Sequence, residues 1–392
     1  LRDYPLSRLN RTVGASLAGR LDVDGSLRGP LTKLLPDLNV RLINPGGGPV
    51  RLREIWSGTL VGQGDGARLR LMAEDPAPAG RLEARFDQRW QPLALGLERG
   101  GGSLALTAFN DQDRASAGRY RWQARSFPLQ GLGLALGGRS RLRSLQGELS
   151  GQGDLALRPL SVHGDLVVDH PGFLRLAGRS LRASVAYANR RYRLRGQLDA
   201  LVGGSIAAQL EGRPDGPFQA RVQARGISAP FVRELLAAYD LWRGRPLPPR
   251  GRAADLGTLA INTLGRSIEE QLATLAEERQ LTEQRDRALA QAPRAEKLER
   301  LQLALDADLV LSGPDVRHAR AELQGRGNLW MDANDRDRSV AREPFRFQLA
   351  GPINSAGEGS FELEHLPLAL LTLLTPVPDM LRGTLQARGR YG

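Results

Sequence analysis

The chain has 392 residues, enough for two or three domains of roughly 150 residues each, and its formal net charge is +12. With no Cys it can form no disulfide, no thiolate metal site and no Cys nucleophile, four His leave little for zinc or proton transfer, and lysine occurs only at Lys33 and Lys297, so the positive charge is almost all arginine. Apolar residues at 41%, aromatics at 5%, 46 Gly and 24 Pro describe a folded, glycine-punctuated chain.

The opening LRDYPLSRLN lacks an apolar core and an initiator methionine, so it is not a signal peptide. The chain reads as a piece of something longer. From there to residue 228 short runs alternate Leu or Val with a polar residue and are cut by Gly or a polar turn. Leu17–Val23, Arg68–Leu71, Asp154–Leu157, Asp165–Val168, Tyr192–Arg195 and Arg221–Ala224 are examples. Period two puts the apolar side chains on one face and Arg, Asp and Gln on the other. Turn signals of matching type stand at 44–48, 110–113, 213–216 and 332–335. Many short strands at regular spacing predict an all-antiparallel sheet.

Two stretches break this rule. Ala229–Trp242 carries Phe231, Leu235, Leu236 and Tyr239 at helical spacing behind Pro230, and with the Pro/Gly/Arg linker it fills 229–257. A helical insertion is predicted over 258–302: Ser267 and Glu270 form a capping pair, Ile268, Leu272 and Leu275 make a stripe, and Pro293 ends or kinks it. Strand pattern resumes over 303–392. The most apolar run, Leu366–Pro378, has 13 uncharged residues and three prolines, too short for a spanning helix of roughly 20 residues.

One unit recurs three times: an aromatic or Leu, then Pro-Leu, then Leu-x-Gly-x-Leu. It appears as Tyr4-Pro5-Leu6 with 17–25, Phe127-Pro128-Leu129 with 145–153, and Leu366-Pro367-Leu368 with 381–389. The expected form is a strand ending at Pro-Leu, a crossover, and a new hairpin opened by Gly.

Catalytic and metal motifs are missing from the pattern. Gly131-Leu-Gly133 with Gly137 and Gly138 has the wrong spacing for a dinucleotide loop, and Asn44-Pro-Gly-Gly-Gly48 lacks the Lys of a phosphate loop. Asp332–Asp337 places Arg336 where a calcium ligand belongs. His163, His170, Asp165 and Asp169 lie along alternating strand and need not converge. Arginine is spread over a whole sheet face (Arg51, Arg53; Arg141, Arg143; Arg193, Arg195) without interleaved aromatic pairs, which argues against nucleic acid. No cofactor and no enzyme activity are expected. What remains is the apolar face itself, an open trough for acyl chains or the packed core of a closed sheet. Its candidate residues by parity are Leu17, Leu21, Val23, Leu69, Leu71, Leu155, Leu157, Leu166 and Val168.

The repeat units, above all 361–385, resemble the TamB (translocation and assembly module) and AsmA-like superfamily, and the run at 38–62 is similar to its cyanobacterial members. The resemblance covers 1–228 and 303–392. It implies a long repeat-built antiparallel β-sheet curled into an open hydrophobic groove. It further implies a place in the periplasm, with an inner-membrane anchor outside this sequence. The implied function is carriage of phospholipid acyl chains between inner and outer membranes in support of outer-membrane biogenesis. The implied partner is an outer-membrane β-barrel protein of the Omp85 type. The alternative is a scaffold or tether for barrel assembly or protein secretion, without lipid cargo.

Overall fold

A computed structural model describes residues 1–10, 17–30, 35–47, 50–52, 54–64, 66–74, 80–109, 118–134, 143–157, 159–174, 176–201, 203–214, 216–232, 234–235, 238, 302–315, 318–330, 343–353, 357–370 and 383–392. Among them the chain is mostly β and antiparallel, with little helix. The strands fall into two compact units, one up to Leu174 and one after it. The turn at 110–113 and the loop at 332–337 lie outside the described residues, as does the helical insertion predicted over 258–302 except for Gln302, which begins a strand and not a helix.

Unit one holds β1 (Tyr4–Pro5), β2 (Leu17–Arg28), β3 (Leu35–Gly47), β4 (Val50–Leu52), β5 (Ile55–Gln63), β6 (Gly66–Ala73), β7 (Gly80–Asp87), β8 (Pro92–Arg99), β9 (Gly102–Ala108), β10 (Arg119–Pro128), β11 (Leu132–Leu134), β12 (Arg143–Leu157) and β13 (Leu160–Phe173). The long strands form an open run, each paired antiparallel with the next, with β3 on β5 and β10 on β12. Three-residue β4 pairs with β3 and with β11, and β11 pairs with β12. A second route of hydrogen bonds therefore joins β3 to β12 at one end.

Unit two holds β14 (Leu176–Ala188), β15 (Arg191–Ala200), β16 (Ser205–Gly212), β17 (Phe218–Ile227), β18 (Gln302–Gly313), β19 (Arg320–Trp330), β20 (Phe345–Pro352), β21 (Gly359–Pro367) and β22 (Thr384–Tyr391). They form a meander in which each strand pairs with its successor. Residues 229–232, 234–235 and 238 are helical. Ala229, Phe231 and Val232 pack on Ala200, Ile227, Leu303 and Leu329, so the amphipathic segment caps one end of this unit's apolar face.

The three sequence repeats share one geometry. Pro5 pairs with Arg20, Pro128 with Glu148 and Pro367 with Thr384, in each case the residue after the repeat glycine. Those glycines, Gly19, Gly147 and Gly383, have φ of +103°, +112° and +111°. Such angles suit glycine because it carries no Cβ. Two residues before each Pro stands a non-glycine at positive φ: Asp3, Ser126 and His365. Leu129 and Leu368 then donate from their backbone N–H to the carbonyls of Gly147 and Gly383, at 2.8 and 3.0 Å. The Pro ends the ladder because it has no N–H to offer, and the crossover starts there.

Candidate functional site

Directly paired residues of antiparallel strands point to the same face, so the registers can be read across a unit as rows. In unit one a row runs Val23, Val40, Gly58, Leu71, Leu82, Leu97, Leu104, Ala124, Gly151, Leu166. The next row runs Gly25, Leu38, Leu60, Leu69, Ala84, Leu95, Leu106, Trp122, Gly153, Gly164. Both rows hold only apolar residues and glycine over ten strands. The intervening row on the other face reads Asp24, Asn39, Thr59, Arg70, Glu83, Gly96, Ala105, Gln123, Gln152, Asp165. Unit two repeats the arrangement with Ala183, Gly196, Ala208, Val222, Leu309, Leu323, Leu349, Phe361 and Gly389. At about 4.8 Å per strand, a nine-strand row runs about 38 Å, longer than one extended phospholipid acyl chain.

Aromatic side chains fill the space beside glycines of this face. A Cβ at Gly153 or Gly164 would strike Trp122, at Gly80 Trp56, at Gly325 Phe347, at Gly327 Phe345, at Gly389 Phe361, and at Gly351 or Gly359 Tyr391. Several of the few aromatics thus take up the space that these glycines leave on the apolar face.

The polar face is closed by its own charges. Arg41 pairs with Glu74 at 2.9 Å, Arg68 with Glu83 at 2.9 Å and Arg81 with Glu98 at 3.1 Å. The hydrogen bond from Arg41 holds the Glu74 carboxyl below its usual range. A hydrogen bond from Arg68 and the charges of Arg68, Arg81 and Arg70 do the same to Glu83. A shallow cavity of about 430 Å³ on unit two's polar face is lined by Arg225, Asp306, Asp308, Arg326, Arg346 and Glu364. Its cations are paired too: Arg225 with Asp308 at 2.7 Å, Arg326 with Asp306 and Arg346 with Glu364 at 3.8 Å. Among the described residues no three His, Asp or Glu side chains converge on a metal position.

Leu21, Leu69 and Leu71 belong to one cluster with Val40, Trp56, Leu97 and Phe127. Val23 and Leu166 close the two ends of the row through Leu71. Leu155 pairs with Tyr120 and Val162 one row further out. Val168 is buried opposite Leu149, whereas Leu157, paired with Leu160 at the hairpin end, is 44% exposed. Leu17 stands beyond the register shift at Gly19, opposite Gly47, so simple parity does not place it.

Two features lie outside the candidate residues that parity named. One is the apolar row of unit two, although its alternation at 192–195 and 221–224 is plain in the sequence. The other is a buried ion pair. Arg99 Nε donates to Glu54 Oε1 at 2.7 Å and its Nη1 donates to the Pro128 carbonyl at 3.1 Å. Both side chains are at most 5% exposed. Gly131 leaves the space that the guanidinium occupies. Only the break in polar alternation around Glu54-Ile55-Trp56 could have hinted at it.

In comparison with known proteins, the chain matches no protein-family model, no curated protein and no solved structure.

Proposed function

We propose that this chain is a periplasmic segment of a bridge-like lipid-transfer protein, whose sheet curls into a groove and carries phospholipid acyl chains between two membranes. The observation that carries the reading is the set of unbroken apolar rows running across successive strands in register. In unit two these rows stay half-exposed along their middle, and Leu349 is 39% exposed. An exposed apolar face of that extent marks a binding surface. Each methylene buried on it contributes about 0.8 kcal/mol, and a floor of Leu, Val, Ala and glycine holds a chain without fixing it at one place. The short return route from β3 through β4 and β11 to β12 favours such a curl in unit one. The repeat units and their resemblance to the TamB and AsmA-like superfamily point the same way, towards outer-membrane biogenesis and an outer-membrane barrel partner.

The test is native mass spectrometry of protein purified from a Gram-negative host. Co-purifying phospholipid, released on denaturation, is the expected result. Protein that comes out free of lipid yet captures an unfolded outer-membrane barrel would replace this reading with a scaffold.

A further inference from the structure

In unit one the apolar face is partly occupied by the chain's own side chains. Val50 and Leu52 of β4, with Leu129 and Leu132 of the crossover after β10, pack against Val40, Trp56, Leu71, Leu97 and Phe127. Trp56 and Leu71 of this cluster are fully buried. In unit two no strap of this kind crosses the middle of the described rows. The two strap strands are short, and only Leu52–Leu132, Arg51–Gly133 and Val50–Leu134 pair between them. A three-residue ladder is a weak closure, and short, locally supported segments open before the rest of a fold.

The strap is anchored by a polar group in an apolar setting. Arg99, at the end of β8, reaches Glu54 just after β4 and the Pro128 carbonyl just before the crossover, so one guanidinium holds both halves. Among the described residues Glu54 Oε2 and Trp56 Nε1 are buried without a hydrogen-bond partner. A buried polar atom left unsatisfied favours states in which water reaches it. Packing alone would need no ion pair here, and an apolar pair of similar volume would hold the strap at least as well.

Resting on the acyl-chain reading above, we propose that β4 and β11 form a strap latched by Arg99 and Glu54, which occupies the acyl path of unit one and opens to let a chain pass. Closed, Val50, Leu52, Leu129 and Leu132 stand where acyl methylenes would lie. Open, the latch groups meet water and the Leu71–Leu82–Leu97 row becomes continuous with the rows beside it.

These 392 residues contain no cysteine, so within them Leu52→Cys with Leu132→Cys can form one disulfide only, across the strap. In the chain carrying this pair, a photo-crosslinking amino acid is placed at Leu82, which packs on the same cluster as the strap, or at Leu349 in unit two. The protein is incubated with phosphatidylethanolamine–phosphatidylglycerol vesicles, oxidised or reduced. The proposal expects labelling at 349 in both states, and labelling at 82 that rises about tenfold on reduction, within the usual range of such couplings. Glu54→Gln in the cysteine-free chain should raise labelling at 82 in the same direction; if that variant fails to fold, the disulfide comparison decides alone. Labelling at 349 with equal labelling at 82 in both states would overturn the strap and leave the acyl reading standing. So would labelling at 349 with none at 82 even when reduced, since that face would then be permanent core. No labelling at either position would remove both.

Discussion

Replacing Arg99 by Met keeps most of the side-chain volume and removes the charge that faces Glu54. The Glu54 side chain left behind is 5% exposed, and one of its oxygens already lacks a hydrogen bond, so no neighbour is placed to take over. Breaking a buried pair by removing one partner costs about 3–5 kcal/mol, whereas replacing both by apolar residues is neutral or stabilising by about 1–4 kcal/mol. Arg99→Met should therefore unfold unit one at markedly lower urea, and Glu54→Met with Arg99→Met should return it to wild type or beyond. Tryptophan fluorescence reports this directly, because Trp56 is fully buried beside the pair while Trp90 is 42% exposed. A double mutant no more stable than the single would refute the reasoning, since the loss would then come from packing around Arg99 and not from an orphaned charge.

Leu155→Asp and Leu166→Asp place a carboxylate on the apolar face; in a wetted groove they should abolish lipid occupancy with the melting temperature little changed, while in a closed core they should cost several kcal/mol, and Arg70→Gln on the opposite face should alter neither. Gly147→Ala and Gly383→Ala both force a side chain to φ above +110°, a strain of about 1–3 kcal/mol; at Gly147 the new methyl also meets the Asp169 carbonyl at 2.7 Å, while at Gly383 the nearest atom is 3.8 Å away, so thermal unfolding should rank Gly147→Ala lower. Glu83 is held below its usual carboxylate range by Arg68, Arg81 and Arg70, so its stabilising contribution is present above about pH 4.5 and lost as pH falls through its lower folded value; Glu83→Gln should flatten that acid limb slightly, and an unchanged acid titration would contradict the assignment.

Strand content was legible because period two is written into nearly every segment. The runs at 17–23, 68–71, 154–157, 165–168, 192–195 and 221–224 all lie in strands. The repeat was legible too, because Pro and a positive-φ Gly are both read from residue type alone. Parity failed to place Leu17, since the bulge at Gly19 shifts alternation by one and no local signal announces how a bulge is absorbed. The turn signal at 44–48 is largely drawn into β3, where Gly46 and Gly47 pair with Arg51 and Val50. The strap was beyond sequence reading because β4 and β11 are three residues long and lie about 80 positions apart, so only the register brings them together. Glu54 and Arg99 look like ordinary surface charges until the crossover covers them.

The central claim is that one face of this sheet, and not the other, holds acyl chains. Its most direct measurement is a crosslinker scan along β19, one position at a time from Arg320 to Gln324, in protein loaded with phospholipid. Ala321 and Leu323 share the apolar rows with Leu311 and Leu349, while Glu322 and Gln324 point to the charged face. The account predicts lipid adducts at 321 and 323 and none at 320, 322 and 324. Adducts that ignore this alternation, or that fall on the even positions, would contradict it.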